Sequence, residues 1–303
     1  MYTTLIEPVE LASHIDDPDW VVLDCRFDLA RPEWGEGEYA GGHVPNALYA
    51  HLDRDLSSPV SATTGRHPLP SREAFFATLG RWGVDSKVQV VAYDQGNGAY
   101  ASRLWWLTRW AGHAHVAVLN GGFTAWQQQS AASQQSAASQ RSAAPQQAGL
   151  PVSKQPGVRQ PRSYSASHAP AEFVTTAEVA AMQAAGQLHS GERVLVDARA
   201  ADRFAGQNET LDPVAGHIPG ARNHPFMRNV DAQGRFLPAA SLRSQWLETL
   251  RSQAPSNTIA MCGSGVTACH NLLALEVAGL AGARLYAGSW SEWIRAAARP
   301  IER

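Results

Sequence analysis

The chain has 303 residues and a formal net charge of −2, with 25 Lys and Arg against 27 Asp and Glu. That length fits two domains of about 100–150 residues each better than one core. The near balance of charge gives no general attraction for nucleic acid or anionic lipid. Cys25, Cys262 and Cys269 are too few and too irregularly spaced for a disulfide framework or a zinc site, which points to a reducing compartment, the cytoplasm by default. No metal and no organic cofactor is expected. The opening MYTTLIEPVELASHI carries no Lys or Arg before its apolar residues and does not read as a targeting segment, and no run approaches the roughly 18 apolar residues of a membrane span.

In chain order, Val21–Arg26 (VVLDCR) predicts an apolar strand ending in Asp and Arg, with Cys25 packed as a small apolar residue. Gly42–Ala47 reads GHVPNA, and Ser71–Trp82 has helical period. Val88–Leu107 (VQVVAYDQGNGAYASRLWWL) runs from strand through a glycine-containing turn into a helix. Its Trp105, Trp106 and Trp110 share helical spacing and suit packing better than a ligand cage. After Val116–Trp126 (VAVLNGGFTAW) comes a Gln/Ser/Ala-rich stretch with almost no large apolar residue, expected to be a linker or disordered insert rather than a helix. The expected division is a first domain over 1–128, a linker over 129–165 and a second domain over 166–303.

The second half repeats the first in order. Val194–Arg199 (VLVDAR) answers VVLDCR, and Gly216–Ala221 (GHIPGA) answers GHVPNA. Asp24 to His43 spans 19 residues and Asp197 to His217 spans 20. Thr258–Leu275 parallels Val88–Leu107, and Ala283–Trp293 parallels Val116–Trp126. Strands alternating with helical segments, such as Ser71–Trp82 and Ala239–Leu250, predict an α/β fold: two tandem domains, each a parallel sheet flanked by helices.

Within the second repeat, Met261–Ala268 reads MCGSGVTA. A strand ending at Cys262, a turn allowed by Gly263 and Gly265, and a helix starting near Val266 would curl backbone N–H groups around one sulfur. Those groups and the helix dipole favour a thiolate. Cys269 lies two helical turns further on, too far for a relaxed disulfide, and is expected to be buried and inert.

The duplicated plan, the two GH(V/I)PxA segments and the CGSGVTA loop together resemble the two-domain rhodanese family of sulfurtransferases, over nearly the whole chain outside the linker. The resemblance implies one α/β fold in both domains, with the cysteine kept only in the second and Asp94 standing in its place in the first. It implies that Cys262 is the nucleophile and sulfur carrier, and that Gly263, Ser264, Gly265, Val266 and Thr267 form the loop that holds the persulfide or an anion. The neutral CGSGVT sequence matches the 3-mercaptopyruvate branch, whereas relatives favouring thiosulfate resemble CRKGVT, so thiosulfate is the alternative donor. The resemblance further implies a relay of Ser264 with His43 and an upstream acid, for which the segment before His43 offers only Glu33, Glu36 and Glu38. His217 is expected to hold a turn.

Arg203 sits where that branch places a carboxylate-binding arginine. A second, expected in an EPxPR-like segment, is missing: Asn208–Ala215 reads NETLDPVA, with Asp212 near its place. Arg222, Arg228, Arg66 or His67 could substitute, although a solvated charge or a turn residue is the ordinary role of each. Trp290 and Trp293 are expected in the floor of the cleft or in the core. The partners implied are a small-molecule sulfur donor and a thiol acceptor such as a thioredoxin-like protein or glutathione, or cyanide, with no nucleic acid and no membrane. A cysteine phosphatase or arsenate reductase is the mechanistic rival on this fold. It needs an arginine six residues after the cysteine, where this chain has Ala268. A non-enzymatic persulfide-binding module is the remaining alternative.

Overall fold

In the computed structural model, which describes residues 1–129, 150–166, 168 and 171–303, the chain divides into two compact units. In the first, β1 (Leu5–Ile6), β2 (Trp20–Asp24), β3 (Leu48–Tyr49), β4 (Gln89–Tyr93) and β5 (Val116–Leu119) form a sheet in the order β1-β5-β4-β2-β3. In the second, β6 (Phe173–Val174), β7 (Val194–Asp197), β8 (Arg222–Asn223), β9 (Thr258–Met261) and β10 (Arg284–Tyr286) form a sheet in the order β6-β10-β9-β7-β8. Every pairing is parallel, and the two orders are the same order.

The helices of the first unit are α1 (Pro8–Ala12), α2 (Trp34–Gly41), α3 (Arg72–Arg81), α4 (Ala101–Trp110) and α5 (122–129). Those of the second are α6 (Thr176–Ala184), α7 (Gln187–Ser190), α8 (Ala201–Phe204), α9 (Ala239–Leu250), α10 (Thr267–Val277) and α11 (Ser289–Trp293). The strands of a parallel sheet covered on both faces are apolar along their whole length rather than alternating. All residues of β2, β4, β5, β7 and β9 are buried accordingly. Each Val, Leu or Ile buried there contributes about 1.5–3 kcal/mol. Helix α6 starts at a reciprocal cap: Thr175 Oγ1 accepts from Glu178 N, and the Glu178 carboxylate accepts from Thr175 N. Trp105, Trp106 and Trp110 are buried on α4, and Trp290 and Trp293 are fully buried in the second core. Cys25 and Cys269 are buried free thiols.

Two short segments belong to the unit opposite their own half of the chain. Leu56–Ser71 is part of the second unit, and Ala232–Arg235 is part of the first. Backbone bonding accounts for the former, since Gly65 N donates to Glu292, Arg66 N donates to Ser291 Oγ at 3.1 Å, and Arg295 Nε donates to Thr64 O at 3.1 Å. Residues 130–149, the Gln/Ser/Ala-rich part of the expected linker, lie outside the described residues. Residues 150–166 are bound along the first unit: Ser153 pairs with His43 through the backbone, Gly157 N donates to Ala47 O, and Arg162 bridges to Asp19 and Asp85.

The repeated motifs do the same structural work in each unit. Arg26 forks onto Asp24 and donates to the Gly42 carbonyl at 2.7 Å; Arg199 forks onto Asp197 and donates to the Gly216 carbonyl at 2.8 Å. The DxR ending of one strand thus fastens the glycine of the following GHxPxA turn. The histidine after that glycine stacks on an aromatic ring of the preceding helix and bonds a carbonyl there. For His43 the ring is Tyr39, at 3.9 Å between centroids, and for His217 it is Phe204, at 3.8 Å.

Burial lowers His113 in the first unit and His224 in the second to a pKa of about 4. Both are held neutral in the native state, while the unfolded chain takes up their protons below about pH 6.5. Through these two groups, stability measured by urea unfolding is therefore expected to fall as the pH drops from about 6.5 to about 4. A His113→Asn/His224→Asn double variant should show a shallower decline; an unchanged slope would remove these two groups as its cause.

Candidate active site

Strand β9 delivers Cys262 to the carboxyl end of the second sheet, where parallel α/β folds place their ligands. The four residues 263–266 then turn the chain into α10, with Val266 at the helix N-cap and Thr267 as the first helical residue. The two glycines do different things. Gly265 has φ +79° and a Cβ there would run into the Ala287 carbonyl oxygen; Gly263 needs only room, because a Cβ would lie 2.8 Å from Arg66 Nη2. Gly265 N–H donates to Cys262 Sγ at 3.1 Å. From behind, Ser289 Oγ accepts from Cys262 N, Trp290 N donates to Cys262 O, and Ser291 N donates to Gly263 O. The start of α11 thus fixes both peptides on which the sulfur is mounted.

The corresponding loop of the first unit holds a carboxylate instead. Asp94 is fully buried and accepts from four backbone N–H groups, those of Gly96, Gly98, Tyr100 and Ala101, at 2.9 to 3.2 Å. Burial pushes this carboxyl up and the N–H donors oppose that shift. The same strand–loop–helix cradle therefore offers several N–H groups to the Asp94 carboxyl in one unit and the Gly265 N–H to a thiol in the other.

Around Cys262 the second unit assembles three arginines and three acids. Arg199 is buried, forks onto Asp197, reaches Glu209 at 3.3 Å and lies over the Trp290 ring at 4.9 Å. Glu209 in turn forks onto Arg203, at 2.8 Å, and accepts from Leu211 N and Asp212 N; these bonds hold its carboxyl below the usual range despite burial. Asp212 pairs with Arg66 and stands 3.5 Å from Arg203, and burial pushes it up against the pull of both cations. Arg66 and Arg203 converge on the loop, their Nη2 atoms 2.8 and 3.7 Å from the Cβ position of Gly263.

Ser264 is buried, and its Oγ bonds His67 Nδ1 at 2.7 Å. This revises the relay expected from the sequence. His43 has both ring nitrogens against main-chain carbonyls, Tyr39 O at 2.6 Å and Gln155 O at 2.9 Å, and is committed to its turn like His217. The histidine that meets Ser264 is His67, and the second cation beside the loop is Arg66. Arg222 instead donates to the Thr249 and Leu250 carbonyls at the end of α9. Both His67 and Arg66 come from the GRHP tetrapeptide, in a connection over 50–71 that holds no helix or strand. The length of that connection was the available signal, since long irregular loops in compact domains are commonly functional.

Rhodanese-like domain profiles match residues 7–129 and 175–296, and the chain belongs to that family. It is 42% identical over 299 residues to a Pseudomonas aeruginosa protein named as a probable 3-mercaptopyruvate sulfurtransferase, covering 98% of this chain and 97% of that one. It is 32% identical over 308 residues to the thiosulfate sulfurtransferase of Cricetulus griseus, covering 98% and 94%. Among solved structures, the 3-mercaptopyruvate sulfurtransferase from Leishmania major superposes with a TM-score of 0.75 at 30% identity, covering 96% of this chain and 74% of that one. Among the described residues no helix is long and apolar enough to cross a membrane.

Replacing Gly265 by Ala is expected to cost about 2–3 kcal/mol in equilibrium unfolding, through its positive φ and the Ala287 carbonyl. Undiminished stability of that variant would show that the loop relaxes without this glycine.

Proposed function

We propose that the protein is a sulfurtransferase that takes sulfur from 3-mercaptopyruvate onto Cys262 and passes it to a thiol or to cyanide. The observation that carries this reading is the union, in one unit, of a loop-mounted cysteine, a Ser264–His67 pair and two arginines beside the loop. The Cys262 thiolate attacks the donor sulfur, the sulfur–carbon bond breaks, and its electron pair leaves as the enolate of pyruvate, which then takes a proton. The outer sulfur remains on Cys262 as a persulfide. An acceptor thiolate attacks that sulfur and restores the cysteine; cyanide leaves as thiocyanate.

Each neighbour has a place in this sequence. The Gly265 N–H donates to the sulfur, and the uncapped start of α10 adds its dipole, a fixed electrostatic contribution to the anionic forms. Gly263 keeps Arg66 close, and Gly263 to Thr267 together form the persulfide loop. Arg203 and Arg66 receive the donor carboxylate, guanidinium being suited to bidentate binding of a planar anion. Ser264 and His67 move the proton between the donor thiol and the leaving enolate. Thiosulfate is the alternative donor, with sulfite leaving. Thioredoxin-like dithiols and glutathione are the acceptors that fit, and three free cysteines suit the reducing cytoplasm.

Incubation with 3-mercaptopyruvate should add about 32 Da to the wild type and nothing to Cys262→Ser. Transfer with no such adduct at Cys262 would refute the carrier role. His67→Asn is expected to lower kcat on 3-mercaptopyruvate about 100-fold with little loss of stability. His43→Asn should lower stability while the activity of the folded fraction stays within about twofold. The reverse pattern would return the relay to His43.

A further inference from the structure

We propose that Asp212 selects the sulfur donor by charge: it neutralises Arg66 beside the Cys262 loop, so that a donor with one negative charge is preferred over one with two. The inference rests on the sulfurtransferase reading above and concerns a carboxylate that this reading leaves unused.

The position of Asp212 is specific. Its Oδ2 lies 3.8 Å from the Cβ position of Gly263, one residue from Cys262. Its side chain is only 3% exposed, against 27% for Arg66 and 19% for Arg203, so the acid is shut in while both guanidinium groups keep an open side. Arg203 does not require it, because Glu209 already takes that guanidinium in a fork. The charge of Asp212 therefore acts chiefly on Arg66, the one of the three arginines that has no fork from Glu209 or Asp197.

The consequence follows from counting charges. Arg66, Arg199 and Arg203 face Asp197, Glu209 and Asp212, so these six side chains cancel and leave no excess positive charge for a dianion. The interaction of a fixed charge with a ligand scales with the ligand's charge, so a buried carboxylate penalises a dianion about twice as much as a monoanion. Thiosulfate carries two charges and 3-mercaptopyruvate carries one. An asparagine at 212 keeps the size of the side chain and raises the charge at the site by one unit.

The test compares Asp212→Asn with the wild type on both donors. The ratio of kcat/KM for thiosulfate to that for 3-mercaptopyruvate is expected to rise about tenfold in the variant, through KM for thiosulfate rather than kcat. The gain should shrink as ionic strength rises, which a purely structural effect would not do. A ratio unchanged within about twofold would overturn the inference. Calorimetric binding of pyruvate and of sulfate to the wild type needs neither turnover nor a variant: pyruvate is expected to bind more tightly, and tighter sulfate binding would equally overturn the role of Asp212. Failure of the wild type to transfer sulfur from either donor would instead refute the sulfurtransferase reading, leaving the binding comparison to judge the charge selection.

Discussion

The second unit depends on the buried guanidinium of Arg199. Its fork onto Asp197 ties it to the end of β7, its bond to the Gly216 carbonyl fastens the turn before β8, and its face covers Trp290 at the start of α11. Through Glu209 it also orders the loop that carries Arg203 and Asp212. One side chain thereby connects the strand end, the turn, the helix that braces Cys262 and, through Glu209, Arg203. A buried ion pair gains little over a well-packed apolar substitute, but removing one partner leaves an uncompensated charge and costs about 3–5 kcal/mol. Such a pair specifies geometry more than it adds stability.

The first unit repeats this frame through Asp24, Arg26 and Gly42, then diverges at the loop. There the cradle is filled by its own Asp94 carboxylate, with four N–H groups satisfied internally. Where the second unit has Cys262, the N–H of Gly265 faces a thiol and two arginines stand beside the loop. Duplication preserved the strand–loop–helix frame; the residue at the strand end decides whether the loop N–H groups meet a carboxyl of the protein, as at Asp94, or a thiol, as at Cys262.

Much of the fold was legible because the determining interactions are local. Apolar β-branched runs marked β2, β7 and β9, helical period marked α3 and α9, and the matched spacing of DxR and GHxPxA revealed the repeat. The cysteine loop was legible for the same reason, since strand, glycines and helix start are contiguous in sequence. What could not be read was pairing across distance. His67 meets Ser264 from 197 positions away, and Arg66 meets Asp212 from 146 positions away. A GRHP tetrapeptide in an irregular connection has no periodicity to expose its partners. Even the departure at Asp212, visible as a missing arginine, gained a meaning only once Arg66 was placed beside it.

The proposed chemistry requires the outer sulfur to rest on Cys262 within this loop. Its most direct test is a crystal structure of the protein after exposure to 3-mercaptopyruvate, with no acceptor present. The expected result is one additional sulfur bonded to Cys262 Sγ, within hydrogen-bond reach of the loop N–H groups, with Cys25 and Cys269 unmodified. Sulfur bound to either of those thiols, or an unmodified Cys262 in a protein that still consumes the donor, would contradict it.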